Sequence, residues 1–155
     1  MTSTPEQRLE QLGLTLPPVT TPRGNFDAWV LDGSTLYLSG KGSPMREDLA
    51  LVPKVDREIS ADEARSHAHE VGLNLIATMK AALGDLSRVR RIVKVLGMVN
   101  AAPDFTGHTE VINGCSDLLV QVFGDAGRHA RSAIGVGSLP RGFAVEIEAI
   151  VSITE

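Results

Sequence analysis

The sequence predicts an α+β domain with the order β-β-α-β-α-β-β behind a short N-terminal helix. Three observations carry this. Two segments, one from Ser60 and one after Pro103-Asp104, repeat apolar residues at three- and four-residue spacing, and each stops at a glycine, Gly84 and Gly124. Asp32-Gly33 joins two short alternating runs, as a tight hairpin does. Val89–Val99 and Val145–Ile153 are rich in β-branched residues, and the second alternates apolar and polar cleanly. Two helices cannot cover both faces of a sheet of five or more strands. One face is therefore expected to stay bare, and a bare apolar face implies self-association.

Each element has a local cause. At the N-terminus Thr4 is a cap, Pro5 suits the first helical position and Gln7 completes a capping box; Gly13 ends the helix and Pro17-Pro18 leads away in extended form. This helix reads as peripheral. The first strand is expected from Phe26 to Leu31 and its partner over Thr35–Ser39, with Gly40 and Gly42 ending it. A polar stretch from Ser43-Pro44 and Met45 to about Ile59, containing Pro53, reads as a loop. Ser60 with Glu63 caps the next helix, whose stripe is Ala64, Ala68, Val71, Leu75, Ile76, Met79, Ala82 and Leu83. The second long helix carries Val111, Cys115, Leu118, Leu119 and Val122 on one face. Ala130 to Val136 is the next strand, and Leu139-Pro140-Arg141-Gly142 turns the chain into the last. Ala82-Leu83-Gly84-Asp85 before Arg91 matches Val122-Phe123-Gly124-Asp125 before Arg131, a weak internal repeat. The expected organisation is a helix and extended lead-in over residues 1–23, then one domain over 24–155.

Composition excludes several classes. The 155 residues are 43% hydrophobic and 22% charged, ordinary for one globular domain. Lys plus Arg is 15 against 19 for Asp plus Glu, so no basic balance suits a nucleic-acid partner. The single cysteine rules out a disulfide framework or a thiolate zinc cluster. No apolar run approaches the roughly 18 residues of a membrane span, and the N-terminus lacks a secretory pattern. A soluble, cytoplasmic protein is expected.

Few residues suggest chemistry. His67 and His69 sit two apart on a helix and project to different sides, while His108 and His129 are assigned to separate loops, so no metal site is expected. Cys115 reads as a core thiol, Gly-x-Ser-x-Gly is absent, and Gly135-Val136-Gly137 lacks the rest of a dinucleotide fingerprint. Arg88, Arg90, Arg91 and Lys94 read as a solvated strand edge. In the last strand Glu146 and Glu148 share one face, and Arg131 begins the strand taken to be its neighbour. Two readings fit: cross-strand ion pairs, which spacing alone favours, or a pocket in which a guanidinium grips a carboxylate and Glu146 positions water.

The same residues carry a resemblance. His129-Ala130-Arg131-Ser132-Ala133-Ile134-Gly135-Val136, then Ser138-Leu139-Pro140, then Val145-Glu146-Ile147-Glu148-Ala149-Ile150, resembles the C-terminal signature of the RidA (YjgF-like) family, and Leu38-Ser39-Gly40 agrees with its hairpin. The resemblance spans about residues 24 to 154. It implies a chorismate-mutase-like fold, with a mixed sheet, two helices on one face and a trimeric barrel core, assembled as a homotrimer with ligand clefts between subunits. It also implies hydrolysis of 2-imino acids such as 2-iminopropanoate and 2-iminobutanoate to 2-keto acids and ammonia, without a cofactor. By position, Arg131 would hold the substrate carboxylate, Glu146 would activate water, the Ala133 backbone would touch the ligand, Gly40 would line the cleft, and Asn113 falls near a family asparagine. Ala133 stands where archetypal members have cysteine, Phe26 where many have tyrosine, and the segment from Asn100 to Asn113 is longer. The alternative is a non-catalytic trimer that binds small carboxylates. Ribonuclease activity is the least favoured reading, given the acidic balance and the lack of a histidine pair.

Overall fold

The computed structural model describes residues 2–43 and 53–155, so most of the polar stretch before Ile59, including Pro44 and Met45, lies outside the described residues. Helices α1 (Pro5–Gln11), α2 (Ala61–Leu83) and α3 (His108–Phe123) pack with strands β1 (Trp29–Asp32), β2 (Thr35–Gly42), β3 (Val89–Val99), β4 (Ala130–Gly135) and β5 (Val145–Ile153). The strands form one sheet in the order β1-β2-β5-β3-β4. Only β3 and β4 are parallel; the other neighbours are antiparallel.

The expected order holds. β3 and β5 fall on the predicted boundaries, and in β5 clean alternation fixes which residues can be buried. In β5, Val145, Ile147, Ala149, Val151 and Ile153 are buried under the helices while Glu148 is exposed. Beneath α2, Ala64, Ala68, Val71, Leu75, Ile76 and Met79 are fully buried, and each large side chain so buried contributes about 1.5–3 kcal/mol. Glycine lets the two long helices touch: a Cβ on Gly114 would overlap the Arg65 carbonyl oxygen. Gly84 and Gly124, the paired stops of the internal repeat, both take positive φ, 76° and 60°.

Four details differ from expectation. The first strand starts at Trp29, not Phe26, and Phe26 is 57% exposed. Gly33 and Ser34 form the hairpin loop, one residue later than Asp32-Gly33, because Asp32 still pairs with Thr35. α3 begins at His108, since residues 103–107 turn back through a bond from Phe105 N to Ala102 O; His108 is thus helical, not in a loop. Finally, α1 is docked rather than peripheral. Leu9 joins the core, Glu6 accepts hydrogen bonds from Lys80 Nζ and Leu86 N, both 2.8 Å, and Arg8 donates to the Val122 carbonyl.

Among the described residues, the other face of the sheet carries no helix. Val30, Tyr37 and Ile134 lie on it and are exposed, with Ile150 and Met98 in register beside them. This is the bare apolar face anticipated from two helices on five strands. Among the described residues, no helix is long and apolar enough to cross a membrane.

Candidate active site

The residues singled out from the sequence separate into two groups. Phe26, Gly40 and Glu146 line one crevice of about 650 Å³, walled by residues 20–23 and the turn at 140–143. Arg131, Ala133 and Asn113 meet instead at the outer edge of the sheet, where β4 runs beside α3.

The crevice is shaped by a bulge. Leu38 faces Ala149 and Lys41 faces Ile147, so β2 has one residue more than β5 across that interval. Ser39 anchors the bulge, donating from Oγ to the Asp27 carbonyl at 2.6 Å and from N to the Ala28 carbonyl at 3.1 Å. Gly40 is thereby set against Glu146: a Cβ there would sit 3.2 Å from the carboxylate Oε2. Buried Ser43 accepts from Ala144 N at 2.9 Å and ties the start of β5 to the end of β2. Glu146 has no hydrogen-bond or ion-pair partner among the described residues. Burial, and then the like charge of Glu148, push its carboxyl pKa above the ordinary value. Phe26 brings an aromatic wall to this crevice but no hydroxyl.

The β4 edge is built differently. Val136 N donates to Val99 O, so by strand alternation Ile134 and Ser132 turn their amides toward β3. Arg131, Ala133 and Gly135 turn theirs to the free edge. Arg131 Nη1 donates to Asn113 Oδ1 at 2.8 Å and to Ser116 Oγ at 3.0 Å. The Ser116 hydroxyl lies 2.9 Å from His129 Nε2, and His129 Nδ1 lies 2.6 Å from the Gly127 carbonyl. A carbonyl only accepts, so Nδ1 carries the proton and Nε2 accepts from Ser116. Burial depresses the pKa of His129; the Gly127 bond opposes this and the Arg131 charge adds to it. The lowered pKa favours the neutral imidazole, in which the chain of donors runs one way. Nε and Nη2 of Arg131 have no partner among the described residues, which leaves one side of the fork for a planar anion such as a carboxylate.

The two groups do not meet within one copy. β3 lies between β4 and β5, so Arg131 is not on a strand adjacent to Glu146, contrary to the sequence expectation. Register also puts them on opposite faces. Arg131 aligns with Val95 and Ala149 on the buried side, and Glu146 aligns with Met98 and Ile134 on the open side. The cross-strand ion-pair alternative fails for the same reason.

Sequence reasoning missed several residues. Ser116, three positions after Asn113 on α3, and His129, two before Arg131, support the guanidinium; the helical spacing was a usable signal for the first. Arg23, Lys41 and Arg141 line the crevice and had no signal in spacing. Cys115 is fully buried, its thiol pushed up to about 12 by burial, and so is inert. No group of three His, Cys, Asp or Glu residues could hold a metal among the described residues.

Comparison with known proteins bears on the whole domain. Residues 6–143 match a family model described as "YjgF/chorismate mutase-like, putative endoribonuclease". The chain is 39% identical over 146 residues to Protein TCP17 of Trypanosoma cruzi, covering 94% of this chain and 91% of that protein. Among solved structures, it is 41% identical to Atu1372 of Agrobacterium tumefaciens, a protein of unknown function (97% and 92% coverage, TM-score 0.83). It is 30% identical to a Shewanella oneidensis MR-1 protein described as a "putative endoribonuclease" (97% and 100% coverage, TM-score 0.90).

Proposed function

We propose that this chain, which belongs to the YjgF/chorismate-mutase-like family, hydrolyses reactive 2-imino acids in clefts where the β4 edge of one copy faces the Glu146 crevice of the next. One observation carries this reading. A carboxylate-gripping fork and an unpartnered carboxylate of raised pKa lie on opposite faces of one sheet, so each copy offers two half-sites and no whole one. A contact that uses two different surfaces closes into a ring when its rotation allows, and the exposed apolar face would supply the inward surface of such a ring, here a homotrimer.

The chemistry follows from the parts. Arg131 grips the α-carboxylate of the imino acid, and the outward amide of Ala133 donates to the same group. Glu146 takes a proton from a water as its oxygen bonds to the imine carbon, giving a carbinolamine. It then returns that proton to nitrogen and, as ammonia leaves, takes the proton of the carbinol hydroxyl, so that the 2-keto acid remains. A carboxyl pKa raised above the ordinary value suits a group that must both accept and return a proton, and such catalysis is typically worth about 10²–10⁴ in rate. The imine carbon is already electrophilic, so positioning and charge stabilisation suffice and no cofactor enters the scheme.

The test is release of 2-oxobutanoate from 2-iminobutanoate generated in situ. The wild type should exceed the spontaneous rate, and Arg131→Ala should not; equal rates for the two would remove the proposal. A second reading is a ring that binds carboxylates without turnover. Phe26 favours it, because the crevice lacks a hydroxyl there to hold water or substrate. Saturable binding of 2-oxobutanoate that disappears in Arg131→Ala, with no turnover, would establish it instead.

A further inference from the structure

Charge in the Glu146 crevice runs against that of the chain. The chain carries a net charge of −4, yet the crevice is lined by three cations, Arg23, Lys41 and Arg141, and by one acid, Glu146. Elsewhere several cations form ion pairs, Arg57 with Asp104 at 2.8 Å, Arg65 with Asp117 at 2.9 Å and Lys80 with Glu6 at 2.8 Å, while Arg90 and Lys94, on the sheet, form none among the described residues. The three in the crevice have no hydrogen bond or ion pair among the described residues.

Lys41 is the central one. It follows Gly40 directly and is in register with Ile147, so the bulge that opens the crevice sets its position and brings it to the crevice from the face opposite Glu146. It is half-buried, and burial without a compensating partner lowers its pKa. Arg141 stands at the rim on a backbone with φ 56°, a left-handed conformation that costs free energy for a residue other than glycine. A half-buried ammonium without a counter-ion is costly to maintain, and an anion placed beside it recovers that cost. Arg131 already accounts for the α-carboxylate of the ligand, so these cations are left for a second anionic group.

We propose that the crevice contains a second anion position centred on Lys41, with Arg23 and Arg141 at its rim, and that the site prefers 2-imino acids bearing a side-chain carboxylate over those with an apolar side chain. The proposal rests on the reading of the crevice as a ligand site, and it names the substrate class of that site.

The test uses two keto acids of equal length that differ by one terminal carboxylate, titrated calorimetrically into the full chain. 2-Oxoglutarate should bind about ten-fold more tightly than 2-oxopentanoate, as expected for one added ion pair in partly screened surroundings. The advantage should shrink as salt is raised, should largely vanish in Lys41→Met, and should persist in Lys41→Arg, which also controls for folding. Equal affinities in the wild type, or an advantage that survives Lys41→Met, overturns the proposal. Turnover of 2-iminopentanoate and 2-iminoglutarate is scored separately. A binding preference without turnover defeats the hydrolysis reading and leaves the anion position standing. Turnover without the preference defeats only the anion position.

Discussion

The β4 edge and the Glu146 crevice are two solutions to holding a charge. At the edge, Arg131 is fixed by a directed chain of hydrogen bonds through Ser116 and His129 to the Gly127 carbonyl, with Asn113 as a second brace. In the crevice, Glu146 has no brace among the described residues, and burial together with Glu148 raises its pKa. A group that only grips gains from rigidity, because less freedom is lost when the ligand arrives. A group that must exchange protons gains from a carboxyl that is not locked in its ionised form. In the proposed reaction, this contrast would give binding to one half and proton transfer to the other.

The largest effects should come from removing either charge. Arg131→Ala and Glu146→Gln should each lower turnover of 2-iminobutanoate by about 10²–10⁴. The first should also abolish keto-acid binding, and the second should not; identical binding defects would erase the division of labour. Next in size, Gly40→Val should act on the crevice alone, because its side chain would press on the Glu146 carboxylate. A fall in kcat of about ten-fold or more is expected with little change in KM, as for a group displaced from its working position. A smaller effect is expected at the edge: His129→Ala or Ser116→Ala should raise KM about five-fold with kcat nearly unchanged, the measure of one hydrogen bond lost. A change in kcat instead would mean that the chain does more than hold Arg131. The smallest is a pH shift. Glu146 acts as base when deprotonated, so activity should rise with pH through a value above the ordinary glutamate pKa. Glu148→Gln removes a like charge, lowers that pKa and moves the rising limb to lower pH. A shift to higher pH would contradict the stated cause.

How much of this was legible in sequence depends on the range of the interactions involved. β-Branched composition placed β3 and alternation placed β5 to the residue, and the Thr4–Gln7 capping box placed α1, because those signals are local. Local signals also misled. Phe26 continues the alternation of Trp29–Asp32, but only the latter pair with β2, and α3 waits for the turn at 103–107 to finish. Arg131, Glu146, Gly40, Phe26 and Asn113 could each be picked out by resemblance. Their relation could not: periodicity fixes faces within a strand, whereas strand order is set by contacts far apart in the chain. β3 lies between β4 and β5 and so separates Arg131 from Glu146, and the register across it puts them on opposite faces. The Lys41 cluster was invisible for the same reason, since residues 23, 41 and 141 meet only in the folded chain.

Shared half-sites can be tested by mixing two inactive variants. Arg131→Ala retains Glu146, and Glu146→Gln retains Arg131, so a site between copies can be rebuilt from one of each. After exchange of subunits in equal amounts, turnover of 2-iminobutanoate should return to about a quarter of the wild-type rate, the statistical share of rebuilt sites in a ring. Mixtures that stay as inactive as their components, despite demonstrated exchange, would contradict a site divided between copies.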